Sequence, residues 1–336
     1  MLLVVLVLGG QGEIPTQNGA VNLSTALLDS CMVPPPNFDQ MHIGITGASG
    51  LLGQEIIKFA RLQGHRVTGF SRNRNAKIQG CQEVRAFEPQ MDLSDIQAMV
   101  HLAGESILGV WTKAKRDRIL RSRIDGTRWV VESIRRAASK PDTLVSASAT
   151  GIYGNRGDEI LTESSAPDTS DFLGQVASAW ELEGRKSEIT GARCVLLRIA
   201  MVLAHNGGAM PLIGSIFRLG LGGNLGNGKQ WMPWIHVADI AGLVLHAIQQ
   251  PDLHGPLNAA SPVQIRNDEF TKAMGEILKR PTVFAVPAFV LKTLAREESV
   301  LILNSQRVVP EAALKTGYRF RYPDIRSALK NFYGSP

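Results

Sequence analysis

The sequence predicts an α/β protein built on a doubly wound parallel sheet. Short apolar strands alternate with amphipathic helices up to about residue 200. Strands such as "ARCVLLRI" (192–199) are apolar at successive positions, which is typical of parallel strands covered on both faces. A glycine-rich turn connects the first strand to the first helix. Beyond residue 200 the pattern changes, and we expect a smaller, mostly helical C-terminal region there.

The predicted elements follow from hydrophobic periodicity and from glycine or proline at their ends. Strands are predicted over 42–46, 65–70, 82–87 (weak), 98–104, 143–149 and 192–199. Helices are predicted over 51–64, 112–138, 172–189, 239–250, 267–279 and 287–297. The glycine- and tryptophan-rich stretch 217–236 is predicted to form loops and one short strand.

This pattern divides the chain into four regions. Residues 41–200 form the predicted nucleotide-binding domain, with its sheet completed by later segments. Residues 201–286 form a substrate-binding region, and 287–336 form a small helical module. We expect 1–40 to be a disordered extension, with Met41 as a candidate biological start. Its "MLLVVLVLGG" lacks the basic residues of a signal peptide, although a degenerate export signal is the alternative.

Composition narrows the class of protein. A net charge of +6 over 336 residues is mild. The densest basic run, 113–128, is either a solvated helix face or a contact for an anionic partner, and it lacks the interleaved aromatics that single-stranded nucleic acid requires. No apolar run approaches membrane-spanning length. Three scattered cysteines give neither a disulfide framework nor a metal-site spacing. We therefore expect a cytoplasmic protein with no metal, nucleic-acid or membrane partner.

The turn "TGASGLLG" (46–53) predicts a dinucleotide site in a Rossmann-type fold. The first glycine permits a tight turn, the second allows a pyrophosphate to approach the helix N-terminus, and the third allows close helix–strand packing. Cofactor contacts in this turn are expected from Gly47, Ser49, Gly50, Leu51, Leu52 and Gly53.

The end of the second strand favours NADP(H) over NAD. An acidic side chain there would bind the ribose 2′-hydroxyl of NAD, whereas an arginine accommodates the 2′-phosphate of NADP. The sequence has Ser71 and Arg72 at this point, with Arg74 close by, and its next acid is Glu83. The alternative is that Arg72 is a solvated loop residue.

These motifs, together with "HLAGE", "SRIDGT", "SASATGIYG" and "WIHVAD", resemble an extended short-chain dehydrogenase/reductase of the NAD(P)-dependent epimerase/dehydratase superfamily. More narrowly, "FRLGLGGNLGNGKQWMPWIHVADIAGLV" and "QRVVPEAALKTGYRFRYP" resemble the atypical YfcH-like epimerase family, whose C-terminal domain has no characterised role. The resemblance covers about 41–333. It implies that Leu102, Ala103 and Gly104 line the cofactor with Glu105 just beyond, and that Ser146 to Ser148 lie beside the nicotinamide.

The catalytic pattern of that superfamily is missing. Its members pair a tyrosine with a lysine four residues later, which lowers the pKa of the phenol. The equivalent positions here are Phe172 and Val176, or Leu173 and Ala177 after a shift of one residue. Ser148 and Tyr153 are the candidate catalytic residues, although Tyr153 also fits a packing role.

Expectations also follow for five further residues. Arg123 either binds an anionic substrate or the cofactor, or forms a salt bridge within its helix. Trp231 and Trp234 are either walls of a substrate pocket or interdomain core. Asp239 is expected to cap the following helix, and His236 is expected to be packed or hydrogen-bonded rather than catalytic.

Two hypotheses for function follow. The first is an NADP(H)-dependent oxidoreductase or epimerase that acts on an unknown small molecule, as a monomer or homodimer. A proton would then move through Ser148, Tyr153, Glu105 or water. The second is a non-catalytic NADP(H)-binding redox sensor or scaffold.

Overall fold

A computed structural model describes residues 40–334 of the chain. The predicted disordered extension, apart from its last residue, lies outside the described residues. Among residues 40–334, no helix is both long and apolar enough to cross a membrane. The same part of the chain contains no group of three or more His, Cys, Asp or Glu side chains suited to holding a metal ion.

The predicted doubly wound α/β fold is confirmed. Its centre is a seven-stranded, all-parallel sheet with the order β11-β7-β5-β4-β1-β2-β3. The order reverses between β1 and β4, which is the point where ligands bind in such sheets. The strands of this sheet are β1 (His42–Thr46), β2 (Arg66–Ser71), β3 (Glu83–Ala86), β4 (Ala98–His101), β5 (Thr143–Ala149), β7 (Arg193–Ile199) and β11 (Gly255–Ala259).

Two small sheets accompany the large one. Their strands are β6 (Ile160–Leu161), β8 (Met201–Ala204), β9 (Gly207–Gly208), β10 (Trp234–His236) and β12 (Arg307–Val308). The described helices are α1 (Leu51–Leu62), α2 (Lys113–Arg136), α3 (Phe172–Arg185), α4 (Met210–Arg218), α5 (Val237–Gln249), α6 (Asn267–Leu278), α7 (Ala288–Ala295), α8 (Val300–Leu303), α9 (Glu311–Lys315) and α10 (Ile325–Tyr333).

The core lies on both faces of the large sheet. On one face, β1 residues Ile43 and Ile45 belong to a cluster with Ile56 of α1 and Val244 of α5. A separate cluster around Met99 of β4 contains residues of α2. Strands that are buried on both faces must be apolar throughout, which is why the sequence pattern identified them.

Two helix boundaries depend on polar caps. The Thr112 side chain accepts a hydrogen bond from Lys115 N at 3.2 Å, and this fixes the start of α2. The Asp171 carboxylate accepts one from Gly174 N at 2.8 Å at the start of α3. The predicted helix over 172–189 ends at Arg185, and a 3-10 turn over Lys186–Thr190 replaces its last part.

The expectation that Asp239 caps α5 is wrong. His236 is the capping residue, and its Nδ1 accepts a hydrogen bond from Ala238 N at 3.1 Å. The Asp239 carboxylate instead accepts hydrogen bonds from Arg321 N at 2.6 Å and Tyr322 N at 3.0 Å. A buried acid in the first turn of α5 therefore fixes a segment from the C-terminal region.

Candidate cofactor and active site

The glycine turn is shaped by close backbone approach. Gly47 has φ +68°, and a Cβ there would lie 3.0 Å from the carbonyl carbon of Leu102. A Cβ on Gly53 would lie 2.7 Å from the Cα of Ala48 and closer still to the Gly47 oxygen. The turn closes with a hydrogen bond from Gly50 N to Gly47 O at 2.9 Å. Side chains at Gly47 and Gly53 are therefore excluded, as the sequence predicts.

The N-terminus of α1 presents donors without a side-chain cap. Gly50 is its extended N-cap residue, no side chain caps the helix, and no acid lies in the first turn. The amides of Leu51, Leu52 and Gly53 have no partner within an α-helix that begins here. Ser49 and Gly50 are exposed beside them. These donors, with the positive end of the helix dipole, suit an anionic group.

A threonine and a histidine hold the two sides of the switch point together. Thr46 Oγ1 accepts hydrogen bonds from Leu102 N at 3.1 Å and Ala103 N at 3.2 Å. Its own proton therefore goes to His101 Nδ1, 2.7 Å away. Burial, with a smaller contribution from Arg123, lowers the pKa of His101 to about 3, so the ring is neutral. This contact fixes the loop over Leu102–Gly104, and sequence reasoning missed both residues because each looks like an ordinary strand terminus.

The end of β2 carries an arginine without an ion-pair partner in the described part of the chain. Parallel pairing sets Thr46 beside Phe70, so Ser71 and Arg72 follow next to the glycine turn. Arg72 is exposed, whereas its neighbour Arg74 forms an ion pair with Glu88 at 2.6 Å. Arg72 is therefore the guanidinium at this strand end that has room for an external anion.

Arg123 lies directly behind the loop after β4. Its guanidinium donates to the carbonyl oxygens of Glu105 at 3.0 Å and Ile119 at 3.1 Å. It also lies 4.9 Å from the Trp180 ring centroid. Burial lowers its pKa to about 10. Of the two interpretations, the helix salt bridge is wrong, because no carboxylate among residues 40–334 pairs with this side chain.

Glu105 forms an ion pair at the edge of the same loop. Its Oε1 lies 2.8 Å from Lys115 Nζ and 3.6 Å from Arg118 Nε. The hydrogen bond from Lys115 holds the pKa of the Glu105 carboxyl below its usual range. The carboxylate is partly exposed, so it is an anion within reach of solvent at neutral pH.

The side chains that stand in place of the missing tyrosine and lysine, Phe172 and Val176, pack against neighbouring side chains. Phe172 meets the Trp111 ring edge-on, with centroids 5.3 Å apart, and the Arg116 guanidinium lies 4.4 Å from its ring centroid. Val176 is buried in the same cluster. Lys186, farther along the chain, pairs with Glu183 at 2.8 Å. None of these side chains places a phenol and an ammonium side by side.

Tyr153 is fully buried, with its hydroxyl satisfied by protein groups. The hydroxyl lies 2.7 Å from Asn258 Oδ1 and 3.0 Å from the Thr162 carbonyl, and it accepts from Arg198 at 2.9 Å. Burial raises the pKa of its phenol. This geometry favours the packing role of Tyr153 over the role of proton donor, because the hydroxyl is enclosed and hydrogen-bonded to protein groups.

The Ser148 hydroxyl is also enclosed by protein groups. Ser148 is 2% exposed, and its hydroxyl donates to Glu181 Oε1 at 2.8 Å. Glu181 in turn holds Arg198 through a bidentate pair at 2.8 and 2.9 Å. The expected catalytic serine is thus the end of a buried network. Glu181 and Arg198 were not predicted; the signal was one arginine inside the otherwise apolar strand "CVLLRI".

The two tryptophans of "QWMPW" have different environments. Trp234 is buried in the core of the C-terminal region with Met210 and Phe217. Trp231 is half-buried, lies between the guanidinium groups of Arg266 and Arg307, and donates from Nε1 to Asp158 at 2.7 Å. The core interpretation therefore holds for Trp234.

His236 is packed, as expected. Its ring stacks on Phe332 with centroids 4.7 Å apart, and its Nε2 lies 3.2 Å from Asn331 Oδ1. Burial lowers its pKa to about 4. The side chain is therefore a neutral part of the core.

The segment containing α7 and α8 covers the region around Phe172. Glu298 accepts a hydrogen bond from the Trp111 amide, and Glu297 pairs with Arg116. Asn304 donates to Asp171 at 3.2 Å. Consequently these C-terminal residues are held against the start of α2 and the start of α3.

The fold and the glycine turn define a Rossmann-type dinucleotide-binding architecture. The family model described as "NAD dependent epimerase/dehydratase family" matches residues 43–260, and "Domain of unknown function (DUF1731)" matches 286–332. The chain belongs to the NAD dependent epimerase/dehydratase family, which confirms the resemblance seen in the sequence.

Similar proteins come from bacteria, plants and animals. "Epimerase family protein YfhF" of Bacillus subtilis is 38% identical over 296 residues, covering 86% of this chain and 97% of that protein. The chloroplastic "Epimerase family protein SDR39U1 homolog" of Arabidopsis thaliana is 33% identical, covering 87% of this chain and 86% of that protein. A crystal structure of human epimerase family protein SDR39U1 with NADPH is 30% identical with a TM-score of 0.79, covering 87% of this chain and 99% of that one.

Proposed function

We propose that this protein is an NADP(H)-dependent oxidoreductase or epimerase-like enzyme that acts on a small molecule. One observation carries the proposal. The backbone amides at the uncapped N-terminus of α1 lie next to the end of β2, where Arg72 has no ion-pair partner among the described residues. The amides suit a pyrophosphate and Arg72 suits a 2′-phosphate. The human relative crystallised with NADPH supports the same cofactor.

The residues fit the cofactor in three places. The first turn of α1, with Ser49, would hold the pyrophosphate, and Gly47 and Gly53 leave room for the backbone to approach it. Ser71 and Arg72 would hold the 2′-phosphate. The loop over Leu102–Gly104, fixed by Thr46 and backed by Arg123, would line the nicotinamide side. When bound, the cofactor supplies or accepts a hydride.

Proton transfer requires a group other than a tyrosine–lysine pair. Because the Ser148 and Tyr153 hydroxyls are enclosed, the proton would move through Glu105 or water. We assign Glu105 as the base, because its carboxylate is ionised, partly exposed and adjacent to Gly104. Lys115 would keep it ionised and orient it. Substrate orientation against the nicotinamide would supply the remaining catalysis.

The test of cofactor choice is binding of NADPH and NADH to Arg72→Ala. We expect NADPH binding to weaken by roughly 10- to 100-fold, which corresponds to one charge-assisted hydrogen bond of about 1.5–3 kcal/mol, while NADH binding stays within about twofold. Arg74→Ala is the matched control, since Arg74 is already paired with Glu88. Equal losses for the two cofactors would refute the 2′-phosphate assignment.

The test of activity is reduction of NADP⁺ in the presence of sugars and other alcohols, with Glu105→Gln as the comparison variant. In this direction the ionised Glu105 carboxylate would accept the proton of the substrate hydroxyl while the cofactor accepts the hydride. We expect turnover of at least one class and a loss of about 100-fold or more in the variant, with NADPH affinity unchanged. Turnover that is unaffected in Glu105→Gln would contradict the assignment of the base.

A second candidate is a non-catalytic NADP(H) sensor. The packing of Phe172 and Val176, where catalytic relatives have a proton-transfer pair, favours it. Its discriminating measurement is the affinity of a partner protein for the NADP⁺-bound and NADPH-bound forms. Equal affinities would eliminate the sensor.

A further inference from the structure

Two neighbouring segments of the C-terminal region expose large apolar side chains. Leu219 and Leu221 are 68% and 48% exposed, and Val283, Phe284 and Phe289 are 76%, 54% and 70% exposed. We call these five residues the apolar ridge. The two segments are joined by backbone hydrogen bonds from Val286 N to Asn224 O and from Gly226 N to Val286 O, each 2.8 Å.

The ridge stands out from the body of the protein. In extended backbone, successive side chains point in opposite directions, so one of two neighbours is covered when such a segment lies flat. Val283 and Phe284 are adjacent, yet both are more than half exposed. Phe289, on the first turn of α7, continues the exposed surface while Leu291 and Ala295 of that helix are buried.

The ridge is surrounded by unpaired positive charge. The segments 217–229 and 279–292 contain no Asp or Glu. Their five cationic side chains are exposed and form no ion pair within residues 40–334; they are Arg218, Lys229, Lys279, Arg280 and Lys292. Of the acids beside these segments, Glu276 pairs with Arg326 at 2.9 Å, and Asp268 lies against Gly228 without an ion pair to any of the five cations.

The exposed apolar side chains and the cations without ion pairs together decide between possible partners. A symmetric contact between two copies would place the same patch against itself and bring five positive charges onto five. The uncharged apolar stretch at 1–8 would cover the ridge but leave the cations unused. A surface of anionic lipid headgroups satisfies both features, because apolar side chains enter the interface while lysines and arginines meet the lipid charge.

We propose that the apolar ridge and its five cations dock this protein peripherally onto a membrane surface rich in anionic phospholipid. The expectation of no membrane partner rested on the lack of a spanning segment, which a peripheral contact does not require. The proposal is independent of the cofactor assignment, and its test needs no substrate.

The test is co-sedimentation of the full chain with vesicles of phosphatidylcholine alone or with one-third phosphatidylserine. We expect binding to the anionic vesicles, weak binding to the neutral ones, and weaker binding at high salt. Phe284→Ser/Phe289→Ser should lower partitioning at least about tenfold. Lys279→Gln/Arg280→Gln should lower it by about fivefold for each charge removed.

Ile189→Ser is the matched control, because Ile189 is 89% exposed on a different element, the turn after α3, and its loss should leave partitioning unchanged. Failure of the wild type to bind anionic vesicles would overturn the proposal. So would full binding by the double phenylalanine variant, which would assign the contact to another part of the chain. Self-association in sedimentation velocity that is lost in that variant would assign the ridge to a second copy instead.

Discussion

The ends of β1, β2 and β4 contrast with the end of β5 and the start of α3. At the first edge, the α1 amides and Arg72 have no side-chain partner among the described residues. At the second, the Ser148 and Tyr153 hydroxyls are enclosed by Glu181, Arg198 and other protein groups. Polar groups left unpaired are available to a ligand, whereas paired, buried groups stabilise the fold. We call the first the binding edge and the second the catalytic edge, after the roles that the family resemblance implies for them. In this structure the catalytic edge is packed as core.

The largest expected effect is at the catalytic edge. Glu181→Leu leaves Arg198 buried without its bidentate partner, so we expect a loss of about 3–5 kcal/mol in the free energy of unfolding. Urea denaturation measures it. Glu132→Ala is the control, because its pairs with Arg135 and Arg136 are screened by solvent, so we expect a much smaller loss than in Glu181→Leu. Similar losses in the two variants would mean that the β5 edge does not stabilise the fold as described.

An effect of intermediate size is expected in the pH dependence of stability, and it should come from His101 at the binding edge. The folded pKa of His101, about 3, lies below the ordinary value of 6.5, so the unfolded state takes up the proton first. Stability contributed by the neutral ring is therefore present above about pH 6.5 and falls by about 1.4 kcal/mol for each pH unit between 6.5 and 3.

Urea denaturation at pH 7, 6 and 5 checks this effect. The dependence on pH should be shallower in His101→Asn by about that slope, since His236 and other groups titrate equally in both proteins. Parallel curves for His101→Asn and the wild type would show that His101 is not held neutral in the folded state.

The smallest effect is expected from Tyr153→Phe. Loss of one hydroxyl among several buried partners should cost about 1–2 kcal/mol of stability. NADPH binding and any turnover should stay within about twofold. A fall in turnover of 100-fold or more, at unchanged NADPH affinity, would return Tyr153 to a catalytic role.

Local patterns in the sequence were sufficient for the Rossmann half. Strands β1 and β5 were predicted to the residue, because apolar periodicity and glycine punctuation are encoded within short windows. Helix α4 (Met210–Arg218) was missed, since its glycine and proline residues are typical of loops. Its burial against Trp234 and Phe270 is a tertiary effect that no window of that length contains.

The candidate site was predictable where the backbone itself carries the signal. Gly47, Gly53 and Arg72 lie where the spacing placed them, because strand ends in a parallel sheet share one edge. The Ser148 hydroxyl is enclosed by Glu181, which lies 33 residues along the chain. The Tyr153 hydroxyl is enclosed by Arg198, which lies 45 residues along the chain. Such long-range polar pairing has no local signature, so the enclosure of Ser148 and Tyr153 could not be predicted from the sequence, and their catalytic role stays a prediction.

A crystal structure of the full chain with NADPH would locate the cofactor and the Tyr153 hydroxyl in one measurement. We expect the pyrophosphate on the amides of residues 51–53, the 2′-phosphate against Arg72, and the nicotinamide beyond Gly104, with Tyr153 still hydrogen-bonded to Arg198. A cofactor bound elsewhere, or a Tyr153 hydroxyl released from Arg198 and turned toward the nicotinamide, would contradict this expectation.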